Sequence, residues 1–122
     1  RKKPDIGLME KSWIKIYDSW KPEPREIKAP VQCLRIGDMA IAALRGEIFT
    51  PLGLEIKKYS PAASTFVLEL TDEKKGGYIP SPGQAGRGGY GEMPFICRHL
   101  VPEAADRLTD AAIEMLWEMW DA

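Results

Sequence analysis

Glu47 and Tyr78 stand where side chains can do chemistry. Glu47 follows the apolar run 39–44 and Gly46, and it precedes a Thr50-Pro51 helix start. A carboxylate there sits at the carboxyl end of a buried strand, where α/β proteins gather their ligands. Tyr78 comes after the next apolar strand, 65–70, and directly behind Gly76-Gly77, so it can project from a neighbouring strand end. Carboxylate and phenol brought together offer two oxygen ligands to a hard or borderline metal. A plainer role for Glu47 is to put negative charge at the first turn of the helix that follows.

The other chemically suggestive residues have weaker surroundings. His99 is the only histidine, so no His pair is available, and no Ser, Cys or Asp forms a nucleophile motif with it. It is expected at the surface or half-buried before the last helix. Gly86-Arg87-Gly88-Gly89-Tyr90-Gly91 lacks the Lys, the Ser/Thr and the strand-loop-helix setting of a phosphate loop, and is expected to be a flexible or lid-like loop. Cys33 and Cys97 leave disulfide pairing open, with buried free thiols the commoner outcome in so sparse a Cys set. Trp13, Trp20, Trp117 and Trp120 can stack on a ligand, but aromatics at helical spacing more often line a core or an interface.

Several elements must position these residues. Met9, Trp13, Ile16 and Trp20 fall on one helical face, with Asp5 as cap and Pro22 and Pro24 as the stop. Residues 21–30 form a surface linker. Residues 31–36 and 39–44 are strands joined by Gly37-Asp38, a pair suited to a type II′ hairpin turn. The second strand is apolar enough to be buried on both faces. Thr50 as N-cap and Pro51 as first helical residue start a helix with Leu52, Ile56 and Tyr59 inward, and Ser60-Pro61 ends it. A strand over 65–70 completes a βαβ-like unit. Residues 71–94, rich in Gly and Pro, read as one long loop without regular elements. Pro102 opens a terminal helix with Leu108, Ala112, Met115 and Met119 inward, and Trp117 and Trp120 widen that apolar stripe.

The expected fold is therefore α/β (α+β): a mixed sheet with a β-hairpin and packed helices, a long Gly/Pro-rich loop and a helical C-terminus. One domain, or a piece of a larger one, spans 1–122, with an N-terminal helix and linker over 1–30. A hairpin-helix-strand core covers 31–70, the Gly/Pro-rich loop 71–100 and the C-terminal helix 101–122. A chain of 122 residues suffices for a single core, and a net charge of −1 supplies no basic face for nucleic acid or an anionic membrane. No apolar run reaches the ~18–20 residues of a membrane span. The chain begins with Arg1 rather than Met, so a processed product or a fragment is expected, and the compartment stays open.

The run 31–50, VQCLRIGDMAIAALRGEIFT, resembles the neutral/alkaline non-lysosomal ceramidase family, in which an RIGD-LAI hairpin leads to a PGE-FT motif. Residues 54–61, 65–67 and 77–81, then Gly89-Tyr90 and 101–105, continue the resemblance in order over about three-quarters of the chain. It implies the C-terminal segment of a zinc amidohydrolase whose metal is held by two His, one Glu and one Tyr. Glu47 matches the glutamate and Tyr78 the tyrosine, whereas both His lie in a region this chain lacks. The implied cofactor is thus Zn2+ in a parent protein, bound weakly or not at all by this segment alone. The implied substrate is an N-acyl lipid or a smaller amide.

Three departures accompany the match. Arg45 stands where the family has proline, Glu73-Lys74-Lys75-Gly76-Gly77 replaces its NGY-G approach to the tyrosine, and the glycine stretch after Gln84 differs. The competing expectation is a non-catalytic structural or interaction domain. On either view the partner is the rest of a parent chain or a second copy, met through the Trp-bearing helices.

Overall fold

The computed structural model describes residues 7–21, 26, 28–71, 77–93 and 100–122. Asp5, Pro22, Pro24, Cys97 and His99 lie outside the described residues; the cap expected of Asp5 is nevertheless supplied otherwise, since the first helix has Gly7 as its N-cap, whose N–H donates to the Glu10 carboxylate.

The hairpin forms as its residues dictate. Strand β1 (Val31–Ile36) pairs antiparallel with β2 (Met39–Leu44), from Val31↔Leu44 to Ile36↔Met39. Gly37 takes φ 64° at the turn while Asp38 stays out of the left-handed region, as the type II′ pattern requires. After β2 come a two-residue strand β3 (Glu47–Ile48) and helix α2 (Thr50–Tyr59), and then β4 (Ser64–Leu68) returns beside β2. That pairing is parallel, from Met39↔Ser64 to Ala43↔Leu68. The sheet is therefore mixed, in order β1-β2-β4. The expected α/β architecture with its βαβ-like unit is what the chain adopts.

One layer of helices covers one face of this sheet. Ala40, Ala42 and Leu44 of β2 point into it, where they meet Leu52 and Ile56 of α2 and Ala105, Leu108, Ala112 and Leu116 of helix α3 (Glu103–Asp121). Cys33 from β1 and Val67 from β4 pack at the margins of this cluster. Arg35 ties the far end of α3 to β1, donating to the carbonyls of Gly37 and Met119 and lying 4.2 Å over the Trp120 ring. Trp117 joins α3 to the end of α2 through Nε1, which donates to the Tyr59 carbonyl at 2.9 Å. Cys33 is a free thiol whose Sγ contacts the Ala112 carbonyl, and burial pushes its pKa up, so it stays protonated at neutral pH.

Several expectations need correction. Helix α2 begins one residue early: Phe49 is the N-cap, Thr50 makes no side-chain cap and Pro51 falls within the first turn. Pro fits there because the first-turn N–H groups have no helical partner. Tyr59 faces solvent at the helix end, where its carbonyl accepts from Trp117 and its hydroxyl accepts from the Lys58 ammonium. Along α3 the fully buried stripe runs Ala105, Leu108, Ala112, Leu116, while Met115 and Met119 are only half-buried. Residues 71–94 are not one featureless loop, since they contain strand β5 (Tyr78–Ile79) and a 3₁₀ turn at Tyr90–Glu92. Strand β2 is covered on both faces only near Leu44, because Met39 is exposed and Ile41 half-buried. The first helix, α1 (Leu8–Ser19), ends at Trp20 as expected, yet its apolar stripe is not buried. Only Trp13 is half-covered, its ring 6.5 Å from that of Tyr90.

Candidate functional site

The backbone brings Glu47 and Tyr78 together. Strands β3 and β5 pair in parallel with Glu47 opposite Tyr78 and Ile48 opposite Ile79. The Glu47 N–H donates to the Gly77 carbonyl at 2.9 Å and the Phe49 N–H to the Ile79 carbonyl at 3.0 Å. Register partners on neighbouring strands share a face, so the carboxylate and the phenol ring point to the same side. The two-residue ladder is anchored by Ile48 and Ile79, both nearly inaccessible to solvent.

A break in the main sheet frees β3 for this pairing. The chain turns left-handed at Gly46 (φ 73°), and opposite it Leu70 sits at φ 55°, a conformation that costs a branched aliphatic residue ~1–2 kcal/mol. Across this break the Leu70 N–H donates to the Gly46 carbonyl, and the Thr71 N–H and hydroxyl both donate to the Leu44 carbonyl. Arg45 is buried and donates to the Lys28 carbonyl, which pins the segment just before the turn. An arginine is thus accommodated at this position with its guanidinium engaged by the chain.

Glu47 and Tyr78 line one cleft of about 270 Å³ together with Ile48, Phe49, Pro51 and Glu69. Thr50 and Gln84 complete its wall. The Phe49 and Tyr78 rings meet edge to face at 6.1 Å, and Tyr78 meets Tyr90 the same way at 6.0 Å. Gly91 makes this crowding feasible, since a Cβ there would fall 2.8 Å from the Phe49 ring and 3.3 Å from that of Tyr78. Ser81 donates to the Gln84 amide oxygen, and the buried Glu92 accepts from the Gly86 N–H, so the glycine-rich segment is folded on itself at two points.

Two features were missed in the sequence. Glu69 lies one residue past β4 and is brought near Glu47 only by the fold; burial first, and then the Glu47 charge, push its carboxyl pKa above the usual range. No local motif marks it. Gly91 had a signal in the glycine run, but nothing there distinguished a packing glycine from a flexible one.

Glu47 and Tyr78 fit part of a zinc site, as two oxygen donors on one side of a paired strand end. They fall short of the three or four protein ligands zinc takes, and among the described residues no three His, Cys, Asp or Glu side chains converge. Among the described residues, too, no helix is long and apolar enough to cross a membrane. Comparison with protein-family models, with curated proteins and with solved structures finds no match for this chain.

Proposed function

We propose that this chain is the C-terminal segment of a ceramidase-like, zinc-dependent amidohydrolase, to which it contributes Glu47 and Tyr78 as metal ligands. The observation that carries this reading is their pairing: two residues far apart in sequence, matched by the resemblance to two ligands of one metal, are register partners facing one cleft. The remaining donors would come from elsewhere in a parent protein.

When bound, zinc polarises an amide carbonyl and supplies a water of lowered pKa. The chain's own part is positional. The buried Ile48–Ile79 pair fixes the spacing of the Glu47 and Tyr78 backbones, and the Phe49 and Tyr90 rings restrict how the Tyr78 ring can turn. Phe49 and Pro51 give the cleft an apolar wall against which the hydrocarbon of an N-acyl substrate can lie.

Two measurements test the proposal. Calorimetric titration of the 122-residue chain should detect only weak zinc binding, and tight stoichiometric binding abolished by Glu47→Ala would overturn the claim that the segment is incomplete. In a parent protein carrying two further His ligands, Glu47→Ala and Tyr78→Phe should each lower hydrolysis of an N-acyl amide at least ~100-fold, with metal content falling for Glu47→Ala. Full activity of both variants would remove the reading.

A second reading is a non-catalytic interaction module that meets a partner or a second copy through its Trp-bearing helices. It is favoured by the exposure of Leu8, Tyr17 and Trp20 at α1 and of Trp117 on α3. A monodisperse monomer in sedimentation at high concentration would count against it.

A further inference from the structure

The helices cover one face of the three-stranded sheet and leave the other open. Strand register orders the open face into rows that cross β1, β2 and β4. Its middle row is Leu34, Ile41 and Phe66, apolar from edge to edge. The polar side chains on this face are Gln32 and Ser64, which stand at diagonally opposite corners. An apolar centre with polar groups at the margin is the layout of a protein–protein interface.

The area is enough for a dimer. Leu34, Ile36, Met39, Phe66 and Leu68 keep 40% to 56% of their surface open. At ~200 Å² for a large side chain left fully exposed, these five offer about 500 Å² per copy. Two copies pressed together would bury ~1,000 Å² from these side chains alone, where specific association begins and at the upper end of what a monomer leaves bare. The face is also compatible with itself. A two-fold axis lying between two such faces and passing over Ile41 sets that residue against its own counterpart and opposes no like charges, because the face carries none.

We propose that the occupant of this face is a second copy of the chain, giving a two-fold dimer in which two sheets stack ~10 Å apart with Leu34, Ile41 and Phe66 at the centre. At the small end of interface sizes, the association is reversible and falls in the micromolar range. This contact uses neither the separate β3–β5 ladder that carries Glu47 and Tyr78 nor the Trp-bearing helices.

The test is sedimentation equilibrium of the 122-residue chain from low to high micromolar concentration, with amide NMR spectra of the 15N-labelled chain over the same dilution series. A monomer–dimer equilibrium is expected, with the amides of Leu34, Ile41 and Phe66 shifting with concentration while those of Leu8, Trp20 and Trp117 stay fixed. Leu34→Thr and Phe66→Thr keep a strand-forming residue and should each raise the dimer Kd at least ~10-fold. Trp20→Ser should leave it unchanged. A monomer throughout would assign the face to a different chain or to the rest of a parent protein, and would overturn the proposal. So would an association whose shifts fall on α1 or α3, or one that neither Thr substitution weakens. If a variant loses its fold, the dilution shifts of the unaltered chain still decide between these outcomes.

Discussion

The two faces of the three-stranded sheet have different fates. On the helix side, Ala40, Ala42 and Leu44 disappear completely beneath α2 and α3. On the other side lie Gln32, Leu34 and Ile36, then Met39, Ile41 and Ala43, then Ser64, Phe66 and Leu68, brought into rows by the register. This outer face has no charged residue, yet Leu34, Ile36, Phe66 and Leu68 are each about half exposed. A half-solvated sheet ordinarily alternates apolar and polar, and parallel pairs such as β2–β4 are usually covered on both faces. The composition of the outer face is thus that of a covered surface, while its exposure is that of a free one. Burial in this fold is decided by where the helices land and not by apolarity alone.

The contrast can be broken hardest from the helix side. Leu44→Ala should lower unfolding stability by ~2–5 kcal/mol in denaturant titration, because a wholly buried side chain leaves a cavity between β2 and α2. A loss below ~1 kcal/mol would mean that the helix layer is loosely packed. Trp117→Phe, which removes the indole donor to the Tyr59 carbonyl where α3 closes over α2, should cost about 1 kcal/mol in the same assay.

Phe66→Thr on the outer face should change monomer stability by no more than ~0.5 kcal/mol while reducing concentration-dependent association in sedimentation. A core-sized loss there would show that the outer face is as well covered as the inner one. The smallest effect belongs to the rim. The folded-state pKa of Glu69 lies above its ordinary value of 4.5, so the folded chain holds this proton more tightly than the unfolded one. Its contribution to stability is therefore fully present below that ordinary value and is lost as pH rises through the raised one. Glu69→Gln should flatten this step, leaving the variant at least as stable as the parent at neutral pH, as thermal melts across pH 4–7 would record.

Local chemistry carried much of this architecture into the sequence. Gly37-Asp38 between two apolar runs is a hairpin signal that needs no tertiary knowledge, and strand-helix-strand order alone suggests that β4 returns beside β2. Elsewhere the sequence was ambiguous for identifiable reasons. Met115, Leu116 and Trp117 are consecutive and apolar, so periodicity could not tell which of them faces the core, and the structure chooses Leu116. Strands β3 and β5 are two residues each, too short for any alternation, and they depend on the left-handed turns at Gly46 and Leu70. The stripe of α1 was legible as amphipathic, but amphipathicity does not name the surface that will cover it. Glu69 was invisible because its significance is its distance from Glu47, a relation the fold creates.

The β3–β5 ladder also has a dynamic consequence. With β4 held beside β2, two residue pairs close the segment from residue 69 to residue 77, so the entropy lost on closure is set against very few hydrogen bonds. Such a ladder opens locally far more often than the β1–β2 hairpin, whose six pairs close a two-residue turn. Amide hydrogen exchange at Glu47 and Phe49 should accordingly outpace that at the centre of β2. The two proposed ligand positions would then sit on the last strand pairing to assemble in folding and the first to come apart.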